Sequence, residues 1–317
     1  MRMTVLVPTY RRPADLARCL AAIDAQTRPA DQIVIVRRND DAESKAVLDA
    51  YTGERLNVAI SNVPGVVAAL NAGLDRVDAD IVAITDDDAA PRPDWLARIE
   101  AHFATRPEVG GIGGRDFVAG NTQPEQQRVG ILQWFGRSIH NHHLGIGEPR
   151  YVEFLKGVNM SYRTAAIAER RFDPRLRGAG AQVHNELMFS LEVSRAGWKL
   201  LYDPAVAVDH FPAQRFDEDA RHQPTLNAVY DAAFNETLTL LEHLPARERA
   251  FFWIYSLAYG TRDLPGIGQC VRLLRSRPGI WRRFPYVLRG RLAARRQVRP
   301  REAHGAEALR PRPKFQE

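Results

Sequence analysis

Cysteine is almost absent. Cys19 and Cys270 are the only two in 317 residues, and they are far apart. A disulfide scaffold and a zinc knuckle are therefore excluded, and the usage fits a reducing cytoplasm. Long apolar runs are missing as well. The longest candidate, residues 250–258, falls well short of the roughly 20 residues of a membrane span. At the N-terminus, the apolar run 3–7 ends at Pro8 and the polar Thr9-Tyr10-Arg11-Arg12, too early for a signal peptide. The chain is expected to be soluble or to lie on a surface. There is no internal repeat. The glycines of 110–114 lack GxGxxG spacing and do not follow the first strand, so they are no dinucleotide fingerprint.

What is present reads as globular. Hydrophobic residues make up 45% and charged residues 26%, which excludes a disordered chain. The basic excess, 44 − 38 = +6, is modest but unevenly placed. The length suits one large α/β domain plus an appendage.

Val- and Ile-rich runs at 4–7, 32–36, 56–60 and 81–84 read as buried parallel strands. Between them, 13–25, 43–51 and 66–77 have helical character, with Leu16, Leu20 and Ile23 on one stripe and Pro13 in the first turn. Strand–helix alternation implies a doubly wound sheet with right-handed crossovers. Ligands of such sheets bind beyond the carboxyl ends of the strands. There the chain carries Pro8-Thr9-Tyr10-Arg11-Arg12, Arg37-Arg38-Asn39-Asp40-Asp41 and Thr85-Asp86-Asp87-Asp88. Further on, 95–103 and 186–196 read as helices and 109–115 as a strand where backbone approaches closely. Residues 121–147 read as polar loop with His140, His142 and His143, and 200–202 and 206–208 as two short strands.

Asp86-Asp87-Asp88 carries the chemistry. Carboxylates at a strand end, one residue apart, can address a hard divalent ion such as Mg²⁺ or Mn²⁺. Such an ion neutralises charge on a leaving diphosphate. The bland alternative is a solvated turn that caps a helix.

Several segments, in order, resemble the inverting family 2 glycosyltransferases of the GT-A fold. Residues 5–12 resemble the first strand and nucleotide loop, and Asp86-Asp87-Asp88 the DxD motif. Lys156-Gly157-Val158-Asn159-Met160-Ser161-Tyr162-Arg163 resembles the acceptor-side GxNMxxR segment. Phe172-Asp173-Pro174 with Gly178-Ala179-Gly180 resembles the approach to the base, and 197–204 with Val208-Asp209-His210 the closing strands. The resemblance covers about residues 3–212. It implies a Rossmann-like, nucleotide-diphospho-sugar transferase fold: a mixed α/β sheet flanked by helices, with a helical C-terminal appendage. Domains are expected at 1–212 (a nucleotide-sugar half, 1–115, and an acceptor half, 116–212), 213–296 (helical) and 297–317 (a disordered tail).

The resemblance also implies roles. Pro8, Thr9, Tyr10, Arg11, Asn39 and Asp40, with Asp86 and Asp87, would bind the nucleotide-sugar. Asp86, Asp88 and His210 would hold Mn²⁺ or Mg²⁺, with Asp87 the least certain of the three carboxylates. Gly157, Asn159 and Trp198 would face the acceptor. Core packing is the default for Trp134, Phe135 and Trp198. Relatives carry Glu-Asp at the base position, whereas this chain has Asn185-Glu186, so Glu186 would be the catalytic base. Arg37 stands where relatives often have a base-reading Asp, which leaves the nucleotide open.

The implied reaction is non-processive transfer of one sugar to a saccharide or lipid-linked acceptor, in bacterial cell-surface polysaccharide or glycolipid synthesis. The QxxRW motif of processive synthases is absent. A nucleotidyltransferase and a non-catalytic sugar-nucleotide or membrane-surface binding protein are the rivals. From 264 to 296, apolar residues interleave with arginines, which reads either as a solvated basic face or as a peripheral surface on an anionic inner leaflet. No nucleic-acid-binding module is found. The expected location is cytoplasmic, with the inner face of the cell membrane as the second expectation.

Overall fold

The computed structural model describes residues 1–213 and 224–299. They form two units. The first comprises Met1–Ile131, Ile139–Phe172 and Phe189–Ala213; the second comprises Leu132–Ser138, Asp173–Met188 and residues 224–299. A single boundary near residue 212 was the expectation. Instead, 173–188 belongs with the C-terminal helices.

In the first unit, the Val- and Ile-rich runs are strands. They are β1 (Met3–Pro8), β2 (Gln32–Arg38), β3 (Leu56–Ser61) and β4 (Ile81–Thr85), all parallel. Helices α1 (Pro13–Asp24), α2 (Ala42–Ala50) and α3 (Val66–Leu74) connect them. Beyond lie β5 (Ala89–Pro91), α4 (Trp95–Thr105), β6 (Val109–Val118), a hairpin of β7 (Ile131–Leu132) and β8 (Ser138–Ile139) whose residues 132–138 fall in the second unit, β9 (Arg150–Val152), β10 (Asn159–Arg163), α5 (Thr164–Ile167), α6 (Asn185–Arg195), of which 185–188 fall in the second unit, and β11 (Lys199–His210). The sheet order is β3-β2-β1-β4-β10-β6-β11-β5, with β9 also on β11. β10 runs antiparallel between β4 and β6, so the sheet is mixed.

The core follows the two periodicities. Val5, Val7, Ile33 and Ile35 line one sheet face, and Leu16, Cys19, Leu20 and Ile23 of α1 bury their stripe there. Trp95, Leu96, Ile99 and Phe103 of α4 complete that layer. Each fully buried aliphatic contributes about 1.5–3 kcal/mol.

β11 departs from the sequence expectation. Residues 200–202 and 206–208 belong to one strand, whose register with β6 shifts between Asp203 and Val208. The Asp203 carboxylate accepts from Ala205 N at 2.8 Å and so holds the irregularity locally. Gly114 lies opposite; a Cβ there would overlap the Val206 carbonyl, so only glycine lets the strands approach.

The second unit contains α7 (Leu226–His243), α8 (Ala246–Ala258), α9 (Ile267–Leu273) and α10 (Phe284–Arg295). Thr225 caps α7 by accepting from Ala228 N at 3.1 Å. Asn235 of α7 accepts from Arg177 N at 2.7 Å and donates to the carbonyls of Arg177 and Val183. This holds the 173–188 stretch to the helix. Arg175 forks onto Asp173 and Glu242, and its Nη1 reaches Gln297 O at 2.9 Å. Of the expected tail, 297–299 is thus anchored, and 300–317 lies outside the described residues. Arg291 is not on a solvated face. It is 1% exposed and bonds Glu236 and Thr237, each at 2.9 Å.

Candidate active site

Three strand ends of the first unit carry the site. The loop after β1 starts with Thr9 N donating to Val36 O at 2.8 Å. Arg11 then takes a left-handed conformation, φ 55°, and its N–H donates to Asp41 Oδ2 at 2.7 Å. Asp41 is buried and also caps α2 through Ser44 N at 3.0 Å. It therefore ties the β1 and β2 loops together. Its neighbours Asn39 and Asp40 are exposed. Tyr10 donates to Asp40 at 3.2 Å, and the Arg38 guanidinium lies 4.1 Å from the Tyr10 ring centroid.

The second end is Asp86-Asp87-Asp88, after β4. The three side chains have different surroundings. Asp87 turns inward: Thr9 Oγ1 and Arg12 Nη1 each donate to it at 2.8 Å. Burial pushes its carboxyl up to about 7, against the opposing pull of Arg12 and Thr9. Asp88 is also buried. Its backbone carbonyl accepts from Phe211 N at 2.8 Å and its Oδ2 from Ala213 N at 2.9 Å. Asp86 is partly exposed.

The third end is where β6 and β11 close. β11 pairs β5 with His210 opposite Ala89, which sets His210 beside Asp88. His210 Nε2 lies 3.4 Å from Asp88 Oδ1, and its Nδ1 lies 3.2 Å from Asp116 Oδ2. Lys156 donates to the same Asp116 oxygen. Burial opposes ionisation of Asp116, yet His210 and Lys156 hold its carboxyl down at about 2. Desolvation pulls His210 down, but Asp116 and Asp88 outweigh it and raise the imidazole to about 9.

Among the described residues, no three His, Cys, Asp or Glu side chains converge as a metal-ligand group. Of the expected metal set, the structure brings Asp88 and His210 together. Asp86 adds charge nearby without completing a triad. Among the described residues, the buried His210 Nε2 meets Asp88 at ion-pair distance but makes no hydrogen bond. One imidazole nitrogen and one carboxylate oxygen suit two positions of a divalent ion such as Mn²⁺.

The description Glycosyl transferase family 2 matches residues 4–168. The chain belongs to glycosyltransferase family 2. It is 26% identical over 226 residues to Glycosyltransferase AglE of Haloferax volcanii, covering 70% of each chain. Its fold resembles TarS 1-349 of S. aureus, with TM-score 0.61, 14% identity, and coverage of 92% of this chain and 81% of that one. It also resembles the mannosyltransferase PcManGT from Pyrobaculum calidifontis, solved with GDP-Man and Mn2+, with TM-score 0.57, 16% identity, and coverage of 94% and 88%. These neighbours show the fold to be GT-A.

The glycosyltransferase distributes the other expected residues unevenly. Gly157 lies in the turn before β10, beside the β4 end, where Thr85 Oγ1 donates to Val158 O at 2.9 Å. Asn159 is buried and works as a strut: it accepts from Trp95 Nε1 at 2.9 Å and donates to Val206 O at 2.8 Å. Trp198 precedes β11, packed over Gly110, at the opposite end of that strand from His210. Glu186 sits in the first turn of α6, within the 173–188 stretch of the second unit. The adjoining Asn185 amide donates to the carbonyls of Ala181 and Gln182. His142 is buried and its Nε2 donates to the Phe154 carbonyl at 3.1 Å, so the histidine cluster is no open loop.

Sequence reasoning missed Asp116. A lone acid in a glycine-rich strand has no local signature. Asp116 pairs Val208 and lies two residues before Val118, the partner of His210, which becomes visible only once β6 and β11 pair.

Proposed function

We propose that this glycosyltransferase moves one sugar from a nucleotide-diphospho-sugar to an acceptor hydroxyl, with inversion, using a divalent cation held at Asp88 and His210. The Asp88–His210 pair carries the reading: a buried nitrogen and a carboxylate oxygen, 3.4 Å apart, at the carboxyl ends of the strands. The solved neighbour PcManGT is described with GDP-Man and Mn2+, which supports it. When bound, such a cation neutralises charge on the departing diphosphate.

The chain's own residues do the rest. Asp116 orients His210 so that Nε2 faces Asp88, and Lys156 keeps Asp116 ionised. Arg12 and Thr9 fix Asp87, which sets the backbone that presents Asp86 and Asp88. Pro8, Thr9, Tyr10 and Arg11, with Asn39 and Asp40, receive the nucleoside. Glu186 accepts the proton of the acceptor hydroxyl. As it does so, the acceptor oxygen bonds to the anomeric carbon. The bond from that carbon to the diphosphate oxygen breaks, and its electron pair leaves on the diphosphate. A single displacement inverts the centre.

The test is product stereochemistry with a base variant. A product whose anomeric configuration is opposite to the donor's, read by proton NMR, supports the reading; retention overturns it. Glu186→Gln should lower kcat by about 10²–10⁴ with donor Kd unchanged. An unaltered kcat removes Glu186 from the role of base.

A further inference from the structure

Within the second unit, α9 is apolar on two faces. Cys270 and Leu273 are buried with Ile280, and Phe284 packs against them. Ile267, Val271 and Leu274 recur at i, i+4 and i+7, on the face away from that cluster. They are 52%, 62% and 52% exposed. A helix that is apolar all round is normally covered on every side, and three large aliphatics in line are not scattered surface residues. Trp281, in the turn packed under α9 through Ile280, is 42% exposed.

The charge around this stripe is mostly of one sign, with Asp263 the acid next to it in sequence. Residues 264–299 hold ten arginines and no aspartate or glutamate. Some are committed elsewhere: Arg291 to Glu236, and Arg277 to Asp263. Arg272, Arg275 and Arg282 are exposed beside the apolar positions. Guanidinium groups bind phosphate oxygens in a fork, aliphatic side chains enter the acyl boundary, and tryptophan favours the level between them. No helix among the described residues is long and apolar enough to cross a membrane. Any lipid contact through α9 therefore lies on the surface.

We infer that the exposed face of α9, with Trp281 and the arginines around it, docks this enzyme on an anionic lipid surface. The combination of protruding aliphatics and an arginine-rich, acid-poor surround matches a bilayer of negatively charged headgroups. An acidic protein patch would match the charge alone. This inference is independent of the proposed reaction, because the residues involved lie outside the proposed machinery.

The experiment is co-sedimentation of the full chain with phosphatidylcholine vesicles, with or without about 30% phosphatidylglycerol. The chain should pellet with the anionic vesicles and not with the neutral ones, and added salt should weaken binding. Val271→Ser with Leu274→Ser should weaken partitioning about tenfold or more. Arg275→Gln with Arg282→Gln should weaken it about 30-fold. All four side chains are exposed, so thermal midpoints should stay near wild type, and each variant's midpoint is measured alongside. Absence of wild-type binding overturns the inference, as does binding that neither variant pair alters. A solution homodimer that the apolar pair dissolves, without vesicle binding, also overturns it and makes a second copy the occupant.

Discussion

His210 Nε2 faces Asp88 Oδ1 at 3.4 Å, an imidazole and a carboxylate brought together by the antiparallel pairing of β11 with β5. Neither residue is near the other in sequence. The pairing of His210 with Ala89 makes them neighbours, and the two backbone bonds from Phe211 and Ala213 to Asp88 hold that register. Buried charges survive only when paired or when they coordinate an ion. The imidazole between Asp88 and Asp116 meets that need in this structure.

Asp116 should therefore govern cation affinity without touching the cation. Asp116→Asn keeps the shape but removes the charge that orients the His210 ring. Mn²⁺ affinity, measured by calorimetric titration, is expected to fall about 10–100-fold. Unchanged affinity would mean that His210 is positioned by other contacts.

The Arg12–Asp87 pair should be structural. Both partners are largely buried, with side-chain exposures of 19% and 2%. Arg12→Gln strands a buried carboxylate and should cost about 3 kcal/mol in urea unfolding. Adding Asp87→Asn should recover much of that loss. A cost below about 1 kcal/mol for Arg12→Gln would place the pair among solvated ion pairs instead.

His142 gives the fold an acid limit. Burial is the main cause that lowers its pKa, from 6.5 to about 4. Unfolding returns it to its ordinary value, so between those two pH values the unfolded chain binds more protons. Its contribution is fully present above about pH 6.5 and is lost as pH falls toward 4, with roughly 2 kcal/mol gone at pH 5. Thermal midpoints at pH 7.5 and pH 5 should drop more for wild type than for His142→Gln. Equal drops would show that the imidazole protonates without penalty in the fold.

How much of this was legible depends on how local each signal is. The first four strands were plain because β1, β2 and β4 are buried on both faces and read as continuous Val and Ile. The strand-end rule then pointed to Thr9, Asp86 and Asp88 without any structure. β11 was split in two because Asp203-Pro204 reads as a break, and only its pairing with β6 across the irregularity shows one strand. Asp87 and Asp88 look alike in sequence; which one meets Arg12 and which meets His210 is decided by the turn. Arg291 was indistinguishable from its arginine neighbours until α10 packed on α7 and buried it against Glu236. Asn159 matched a motif read as acceptor-facing, whereas its amide braces Trp95 and Val206.

The most direct measurement is calorimetric binding of a nucleoside diphosphate, UDP and GDP in turn, to wild type and Asp88→Asn, with Mn²⁺ or with EDTA. Asparagine keeps an oxygen for the Ala213 bond but removes the negative charge. Wild type should bind one of the two with Mn²⁺ and lose most of that affinity in EDTA, and Asp88→Asn should bind it at least about tenfold more weakly with Mn²⁺ present. Equal binding in Mn²⁺ and EDTA, or wild-type affinity in Asp88→Asn, would contradict a cation held by Asp88 and His210.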